Sequence, residues 1–566
     1  MRSYTKILFI VFFFALSLNI GTTQADTSGQ ERDFLLYGDF TGTGRDVSHA
    51  TLRFVSDKAY FYVDNNYFND LSREEENKFF VSLSALANEY DDRIYPILNE
   101  KFGKMTEPGL DGENRVYILL LPLTDDIGGY TNTADGFLKD RVSDNKTNEL
   151  DLVYINVNYI NNENIKGFLT HEMQHLISLQ NKELKKGISD DVWLNELRSE
   201  YALEFLGYNT PFESSVLHTR EFVFENFPND PLAEWTNRSQ DYAVVNMFAQ
   251  YLAGAYGDGI FRKMVESDRI GIGSVNDALR ESGYTDTFKD AFRNWQIANY
   301  VNDVKSFGNK FGYSNPDLNF RVLPTFADKV TEGESDESLY FQKDWQMAWL
   351  KYEGDTKFVT FKVESEDDLS LSYVLKKYDG TFSFGKVDIN DKKGSFSVEG
   401  LGAEVESVTL LPFFSDKTNA FSEDDPKRSF ILDISTDKND LKEGGYKEIS
   451  FYTPNGSLVR PAWSYDVYLV KDGFIRHISE REFSDKYKSE DVKVLQREGY
   501  NNYKKSDLVR VVDESKVYQL SSDGTRRWLD VSADDFLKSG RSFSGVFEIS
   551  KDELQLYKEI NSITKL

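Results

Sequence analysis

The residues with the clearest chemical potential lie in one short segment, residues 167–177, which reads GFLTHEMQHLI. His171 and His175 are four residues apart, so a helix places them on one face, about one turn apart. Two imidazole nitrogens in that arrangement can bind one zinc ion at about 2.0–2.1 Å. Glu172 lies beside them, where a carboxylate can take a proton from a zinc-bound water. The segment therefore predicts a metal site that hydrolyses a bond, with Glu172 as its general base.

A catalytic zinc site needs a third protein ligand and an open coordination position. The next helical segment, residues 193–202 (WLNELRSEYA), supplies two candidates, Glu196 and Glu200. They are themselves four residues apart, so one can bind the metal while the other holds the second nitrogen of a ligand imidazole. The twenty residues between His175 and Glu196 suffice for one antiparallel helix return.

The alternative interpretation is a solvated helix face, since His and Glu are ordinary surface residues in an acidic protein. Two observations favour the metal site. Only five His occur in the chain, and two of them fall in this motif. The flanking residues are apolar and predict buried helices, in which acids and imidazoles need partners. These residues are Phe168, Leu169, Leu176, Ile177, Trp193 and Leu194.

The elements around the motif predict an α+β catalytic domain that ends near residue 320. Strands are expected within 33–65 and at 116–121 and 152–157, and helical spacing covers 73–100. Helices are expected at 163–182, 190–206, 239–256 and 286–300, the second of them ending at Gly207. Because strands come first and helices later, without regular alternation, the pattern does not indicate a βαβ protein.

From about residue 325 the chain changes to short alternating strands separated by Asp-Gly and acidic turns. This texture predicts a β-sandwich at 323–452. Residues 453–566 contain a near-repeat with a period of about 50 residues, in which 467–476 resembles 517–527. We expect two small β-rich repeats, at about 464–505 and 515–560; the alternative is chance similarity between hairpins.

Composition limits the class of protein. The 566 residues include 66 Lys and Arg against 94 Asp and Glu, a net charge of −28 that disfavours nucleic-acid binding. The absence of Cys excludes disulfides, thiol nucleophiles and Cys-ligated metals. Arg2 and Lys6, the apolar run 7–18 and the small residues before Asp26 predict a signal peptide over 1–25, cleaved near Ala25. The alternative is an uncleaved membrane anchor.

The motif HEMQH followed by WLNELRSEYA resembles the gluzincin metallopeptidases, and most closely the hyicolysin family of secreted bacterial neutral metallopeptidases. The resemblance covers about residues 35–300 and leaves 325–566 outside it. Its weaker upstream features are 60–63 (YFYV), 94–96 (IYP), 102–103 (FG), 111–112 (DG), 128–130 (GGY) and 153–155 (VYI). The resemblance implies a gluzincin-like catalytic domain at 26–322, with an N-terminal β-sheet part and a helical part that carries the zinc.

The resemblance assigns roles residue by residue. It implies that His171, His175 and Glu196 are zinc ligands, that Glu172 is the general base and that Glu200 is the acid behind a ligand imidazole. Arg198 departs from the family pattern, which often has a small residue there. The resemblance therefore does not predict how the side chains pack around Arg198.

A donor to the scissile carbonyl oxygen is also expected, with Tyr242 as first candidate and His218 as second. The alternative for each of them is an ordinary packing or surface residue. Residues 128–131 (GGYT) are candidates for a sheet edge that pairs with an extended peptide; an ordinary Gly-rich turn is the alternative.

These observations together predict a secreted zinc endopeptidase, expected to be a monomer, that takes protein or peptide substrates and uses one catalytic zinc ion. Calcium is a second candidate cofactor without a motif of its own, suggested by acidic pairs such as Asp190 and Asp191. The terminal repeats are expected to contact a cell surface or polymer. Two alternatives remain: a surface adhesin on an inactive metallopeptidase-like scaffold, and a zinc hydrolase that does not cut peptides.

Overall fold

The computed structural model describes residues 25–565 with gaps at 37, 126, 334, 438–455, 462–463, 465, 472, 480–481, 484–491, 496–499, 501–502, 513 and 522–523. The expected signal peptide, up to residue 24, lies outside the described part. The chain divides into two compact units, residues 1–91 with 106–161 and residues 92–105 with 162–566. Among the described helices, none is both long and apolar enough to span a bilayer.

The first unit is built on one six-stranded sheet. Its strands are β1 (Glu31–Leu35), β2 (Val47–Val55), β3 (Ala59–Asp64), β4 (Val116–Leu121), β5 (Gly129–Tyr130) and β6 (Leu152–Asn156), and its helices are α1 (Gly38–Thr41), α2 (Asn65–Asn69) and α3 (Arg73–Glu89). The strand order is β1-β2-β3-β4-β6-β5. The central strands β3, β4 and β6 run parallel, and every residue of all three is buried. Their continuous apolar sequences fit strands that are covered on both faces.

The parallel direction of the central strands β3, β4 and β6 was not predicted, because the order of elements in the sequence shows no regular βαβ alternation. The connection from β3 to β4 passes through α2 and α3 and then through residues 92–105, which belong to the second unit. This is a crossover connection, as parallel strands require. The apolar run of β4 indicated a buried strand, but a buried run does not reveal the direction of its neighbours.

The second unit begins with a helical part. Its helices are α4 (Tyr95–Phe102), α5 (Asn164–Ser178), α6 (Val192–Leu206), α7 (Val216–Asn226), α8 (Ser239–Tyr256), α9 (Gly259–Glu266), α10 (Gly271–Glu281), α11 (Phe288–Val301) and α12 (Val304–Phe307). A π-helical turn, Leu179–Leu184, continues α5. Helix α6 ends at Gly207, whose φ of 70° lies in the left-handed region that favours glycine at a helix C-terminus. Helices α5 and α6 bury most of their side chains, so packing rather than intrinsic propensity stabilises them.

A two-layered β-sandwich follows. Its strands are β7 (Phe326–Val330), β8 (Ser335–Gln342), β9 (Leu350–Gly354), β10 (Thr356–Glu364), β11 (Leu369–Lys377), β12 (Phe382–Lys386), β13 (Lys393–Leu401), β14 (Val405–Phe414) and β15 (Arg428–Ser435). One layer has the order β12-β11-β14-β9-β7 and the other β13-β10-β15-β8, and the single pair Leu401 and Val405 joins them. Tyr373 stacks on Phe396 of the other layer at 4.2 Å between ring centroids. With these sheets and the helical part, the architecture is α+β.

The described residues from 456 onward form two five-stranded sheets, called here the first and second terminal sheets. The first contains β16 (Leu458–Pro461), β17 (Val467–Lys471), β18 (Phe474–Ile478), β19 (Val492–Leu495) and β20 (Lys504–Lys505). The second contains β21 (Leu508–Val511), β22 (Val517–Leu520), β23 (Thr525–Leu529), β24 (Phe547–Ile549) and β25 (Lys558–Ile563), with helices α13 (Ala533–Lys538) and α14 (Lys551–Gln555).

Both terminal sheets have the same topology. The orders are β19-β16-β17-β18-β20 and β24-β21-β22-β23-β25. In each, three strands form an antiparallel meander, and one parallel strand is added on either side. Shared topology argues against chance similarity between two hairpins. The first strand of each copy precedes the expected repeat boundaries at 464 and 515.

Candidate metal centre

Helices α5 and α6 bring two imidazoles and one carboxylate together. His171 and His175 lie one turn apart on α5, with ring centroids separated by 4.8 Å. Glu196 on α6 faces both, with Oε2 at 3.1 Å from His171 Nε2 and Oε1 at 3.5 Å from His175 Nε2. One ligand atom from each of the three residues lies within 4.8 Å of the other two. Tetrahedral bonds of about 2.0–2.1 Å hold ligand atoms about 3.4 Å apart, so the donor set fits a zinc ion.

The electrostatics of this cluster are those of a site that favours a cation. Burial would lower the pKa of His171, but the carboxylates of Glu196, Glu172 and Glu200 outweigh burial and raise it to about 9. Burial would likewise raise the pKa of Glu196, yet the facing imidazoles hold it well below its usual range. The cluster therefore stabilises positive charge between the two helices, as a proton on an imidazole or as a metal ion.

A hydrogen-bond chain behind His175 fixes the orientation of its ring. Ser199 Oγ lies 3.1 Å from His175 Nδ1 and donates its own proton to the amide oxygen of Gln174. Gln174 in turn donates from Nε2 to Ser178 Oγ at 2.8 Å. With its proton on Gln174, Ser199 accepts from His175 Nδ1–H. The lone pair of His175 is then on Nε2, the nitrogen that faces Glu196.

Behind His171 stands a charged pair. Glu200 Oε1 lies 3.7 Å from His171 Nδ1, the nitrogen that points away from Glu196. Arg220 on α7 holds the Glu200 carboxylate with two hydrogen bonds, from Nε at 2.7 Å and from Nη2 at 2.9 Å. Asn246 on α8 adds a third, at 3.0 Å. Burial would raise the pKa of Glu200, but Arg220 overrides it and lowers the pKa, so this carboxylate stays ionised.

Glu172 lies next to His171 on α5 and is buried, with 6% of its surface exposed. Its charge contributes to the raised pKa of His171 and also to that of Tyr242. The carboxylate therefore lies within electrostatic reach of a candidate ligand and of the candidate phenol donor. This is the place that a general base beside the metal needs.

Tyr242 lies near the start of α8 and faces the cluster. Burial raises its pKa well above the usual range, and the carboxylates of Glu196, Glu200 and Glu172 add to the shift. Its hydroxyl donates to Asn237 Oδ1 at 3.0 Å, and the Arg220 guanidinium lies 4.9 Å from the ring centroid. A phenol that keeps its proton at neutral pH can donate a hydrogen bond.

His218, the second candidate donor, is not brought to the cluster. It lies exposed in the first turn of α7, where Nδ1 is 3.1 Å from the Glu213 carbonyl oxygen and the ring packs on Phe212. Within the described part of the chain, its hydrogen bonds and ring contact involve none of the three metal-binding candidates. Arg220, two residues further along α7, reaches Glu200 instead.

The departure at Arg198 is accommodated by a separate buried ion network on another face of α6. Arg198 is fully buried and binds Asp190 at 2.8 Å, and Lys182 binds the same carboxylate at 3.3 Å. The amide of Gly271 donates to the other oxygen of Asp190 at 2.7 Å. These partners already neutralise Asp190, so the expectation of calcium at the Asp190 and Asp191 pair does not fit the structure.

In the first unit, Gly129 and Tyr130 form the edge strand β5, which pairs antiparallel with β6. The segment that was expected to be a sheet edge or a Gly-rich turn is thus an edge strand of two residues.

Sequence reasoning missed Arg220, Asn246, Gln174 and Ser199. The last two belong to the motif helices, but nothing in their spacing distinguishes them from other polar residues there. A general signal did exist for Arg220, because a buried acid such as Glu200 requires a cation or hydrogen-bond donors. The sequence does not say which of many Arg or Lys residues fills that role.

One comparison with known proteins finds a partial similarity to a metalloprotease. No family model matches the chain. Among curated proteins, it is similar to the neutral metalloprotease ShpI of Staphylococcus hyicus, with 26% identity over 235 residues, covering 38% of this chain and 50% of that protein. The chain thus spans half the length of this relative. The relation is metalloprotease-like and covers part of each chain.

Among solved structures, the chain is similar to the pre-peptidase C-terminal domain of a collagenase from Bacillus anthracis. The identity is 10% and the TM-score 0.15, and the match covers 19% of this chain and 94% of that domain.

Proposed function

We propose that this protein is a secreted zinc-dependent endopeptidase of the gluzincin type, related to the hyicolysin family. One observation carries the proposal: the two imidazoles of an H-E-x-x-H helix and Glu196 of the following helix converge within 4.8 Å, with Glu172 beside them. The partial similarity to a neutral metalloprotease supports it.

His171, His175 and Glu196 would hold the ion. A bound zinc ion supplies Lewis acidity, polarising a carbonyl oxygen and acidifying water. Glu172 then accepts a proton from the attacking water and delivers it to the amine of the leaving peptide. On substrate binding, Tyr242 would turn its phenolic hydrogen from Asn237 to the oxygen of the scissile carbonyl, where negative charge develops. Its raised pKa keeps that hydrogen in place at neutral pH.

The remaining residues orient this machinery. Ser199 and Gln174 fix the ring of His175, and Glu200 takes the Nδ1 side of His171 while Arg220 keeps Glu200 ionised. Such supporting contacts set the tautomer and basicity of metal-binding imidazoles. His218 has no role in this mechanism.

Residues 1–25 are proposed as the signal peptide, 26–322 as the peptidase domain, 323–452 as the sandwich and 453–566 as the two repeats. Proteins or peptides are the proposed substrates, and the repeats are proposed to contact a cell surface or a polymer.

The test uses the purified mature chain with zinc, and casein or gelatin as substrate. Glu172→Gln should lower the rate by about 10²–10⁴-fold, the usual contribution of a general base, while metal content stays near one ion per chain. Glu163→Gln is the matched control, because Glu163 lies just before α5 and its side chain is 86% exposed; it should retain the wild-type rate.

Each other outcome rejects a definite part of the proposal. Full activity in Glu172→Gln with metal bound would remove the base assignment. A zinc-loaded wild type that cuts small esters but no peptide would be a different hydrolase. A chain that binds no zinc and cleaves nothing would support the adhesin alternative.

A further inference from the structure

The loop that precedes helix α8 holds Tyr242 at two points. This loop, residues 229–238, is called here the Tyr242 loop. Asn237 accepts the hydrogen bond of the Tyr242 hydroxyl at 3.0 Å, and the ring of Trp235 packs edge-on against the Tyr242 ring at 4.9 Å. Asp241 closes the loop by accepting from the backbone and hydroxyl of Thr236. The direction of the phenol therefore depends on the position of this loop.

The Tyr242 loop is in turn attached to the β-sandwich. The sandwich segment 343–346, between β8 and β9, is called here the clamp. Lys343 Nζ donates to both carboxylate oxygens of Glu234, at 2.8 and 2.6 Å, and its third hydrogen goes to the Glu423 carbonyl at 2.8 Å. Glu234 is only 7% exposed, so this ion pair is largely removed from water.

Two further contacts join the clamp and the loop. The amide of Leu232 donates to the Trp345 carbonyl at 3.0 Å, and Gln346 Nε2 donates to the Asn229 carbonyl at 2.8 Å. Leu232 is fully buried. The clamp therefore holds the loop at three separate positions between Asn229 and Glu234, directly before Trp235.

The clamp itself is rigidly anchored. The ring of Trp345 packs against Phe288 at 4.7 Å and Phe292 at 5.4 Å, both on α11, and against Phe413 of β14 at 6.0 Å. Its indole nitrogen donates to the Lys417 carbonyl at 2.6 Å. A clamp embedded in an aromatic core can transmit a fixed position to the loop it holds.

We infer that the β-sandwich is a positioning element of the catalytic centre, in which Lys343 acts through Glu234 and Trp235 to orient the Tyr242 phenol. The inference rests on the proposed function of Tyr242 as hydrogen-bond donor to the scissile carbonyl. The sandwich is then a part of the peptidase rather than an attached substrate-binding module. Residues 26–322 alone would lack the clamp.

The test measures peptide cleavage by the full mature chain loaded with zinc. Because Lys343→Met alone leaves a buried carboxylate without its cation, the main variant is Lys343→Met with Glu234→Gln. We expect kcat to fall by about 10-fold and KM to stay within about two-fold of wild type. The loss in kcat is smaller than the roughly 10²–10³-fold cost of removing an oxyanion donor, because the phenol is misplaced and not removed. The single variant Lys343→Arg, which keeps the positive charge, should retain at least half of the wild-type kcat.

Lys289→Met is the matched control, because it removes another ion pair between the helical part and the sandwich, Lys289 with Asp368 at 2.7 Å. It should leave kcat within about two-fold of wild type, as expected for an exposed pair. In a Tyr242→Phe background, the double variant should cause no further loss of kcat, because the group that it positions is already absent.

Hydrogen exchange gives a readout that needs no activity. Amides 232–238 should exchange at least about 10-fold faster in the double variant, while those of α5 and α6 stay protected and zinc content is unchanged. The inference is overturned by an unchanged kcat, by an equal loss in the Tyr242→Phe background, or by an equal loss in Lys289→Met. A wild type that cleaves no peptide overturns the proposed function first, and the positioning role with it.

Discussion

Two buried clusters of charged residues in this protein differ in the group that supplies their positive charge. In the terminal sheets, Arg476 donates to both oxygens of Glu482 at 3.0 and 2.7 Å and to Glu553 at 2.9 Å. Tyr557 adds a hydrogen bond to Glu482 at 2.8 Å. Between α5 and α6, by contrast, Glu196 forms ion pairs only with His171 and His175 among the described residues. One cluster contains a permanent cation, and the other contains groups that titrate.

The difference separates a structural charge network from a functional one. A guanidinium stays protonated at every relevant pH, so the Arg476 cluster keeps its cation in the folded chain without a metal. Imidazoles lose their proton readily, and their lone pairs then bind metal. Burial alone does not distinguish the two clusters; the chemical identity of the positive partner does. The Lys182, Asp190 and Arg198 network likewise contains a permanent cation, the guanidinium of Arg198.

The strongest way to test this comparison is to remove the acid of the titratable cluster. Glu196→Ala should abolish stoichiometric zinc binding and lower peptide cleavage by more than about 10³-fold, because only two protein ligands remain. Metal analysis and a cleavage assay measure both effects. Glu204→Ala, two turns further along α6, is the control and should keep its zinc. Full zinc retention in Glu196→Ala would instead identify Glu200 as the third ligand.

Removing the cation of the Arg476 cluster should affect stability alone. Arg476→Met leaves two buried carboxylates without their partner and should destabilise the terminal sheets by about 3–5 kcal/mol. Kcat and zinc content should not change. Denaturant unfolding of the full chain measures the effect, and Arg510→Met, which breaks a pair that is 47% exposed on both sides, should cost less than about 1 kcal/mol. Equal losses in both variants would contradict the distinction.

Between these extremes lies Arg220, a permanent cation that supports the titratable cluster. Arg220→Met should weaken zinc affinity by about 10–100-fold, the usual effect of losing a contact behind a metal ligand. Without Arg220 the pKa of Glu200 rises, so the loss should grow as the pH falls. Competition with a chelator at several pH values measures it. Arg262→Met, which removes an exposed pair on α9, is the control; equal affinities in the two variants would exclude this role.

The smallest effect is expected at Asp230, where burial and the neighbouring Asp241 raise the pKa to about 7. The folded chain therefore binds more protons than the unfolded chain between about pH 4 and pH 7, so this group lowers stability as the pH rises through that window. Asp230→Asn should match wild type near pH 3 and be more stable at pH 8, by about 1 kcal/mol because solvent screens this partly exposed group and reduces the full effect of the shift. Thermal unfolding at both pH values measures the difference, and Asp268→Asn, 92% exposed, should show none.

The sequence allowed the local elements of the site to be predicted. The H-E-x-x-H segment and the apolar residues around it predicted α5, and Gly207 predicted the end of α6. The interval 239–256 coincides with α8. These features depend on short-range periodicity and capping, which a single sequence displays directly.

Other features depend on pairings between distant residues, and they were missed. Arg220 and Glu200 are twenty residues apart on different helices, and no periodicity relates them. His218 was the second candidate donor to the scissile carbonyl because of its residue type, but it lies exposed on α7 and bonds to the Glu213 carbonyl. The parallel direction of β3, β4 and β6 likewise follows from long-range register.

The joint between the two terminal sheets has a consequence for how they can bind anything. Arg476 of the first copy reaches Glu553 of the second, and Lys471 of the first donates to the Val546 carbonyl of the second. Among the described residues, these contacts join different parts of the two copies, as in a head-to-tail interface. In a head-to-tail joint each copy buries a different part of its surface, so the part left exposed for a ligand also differs between the copies.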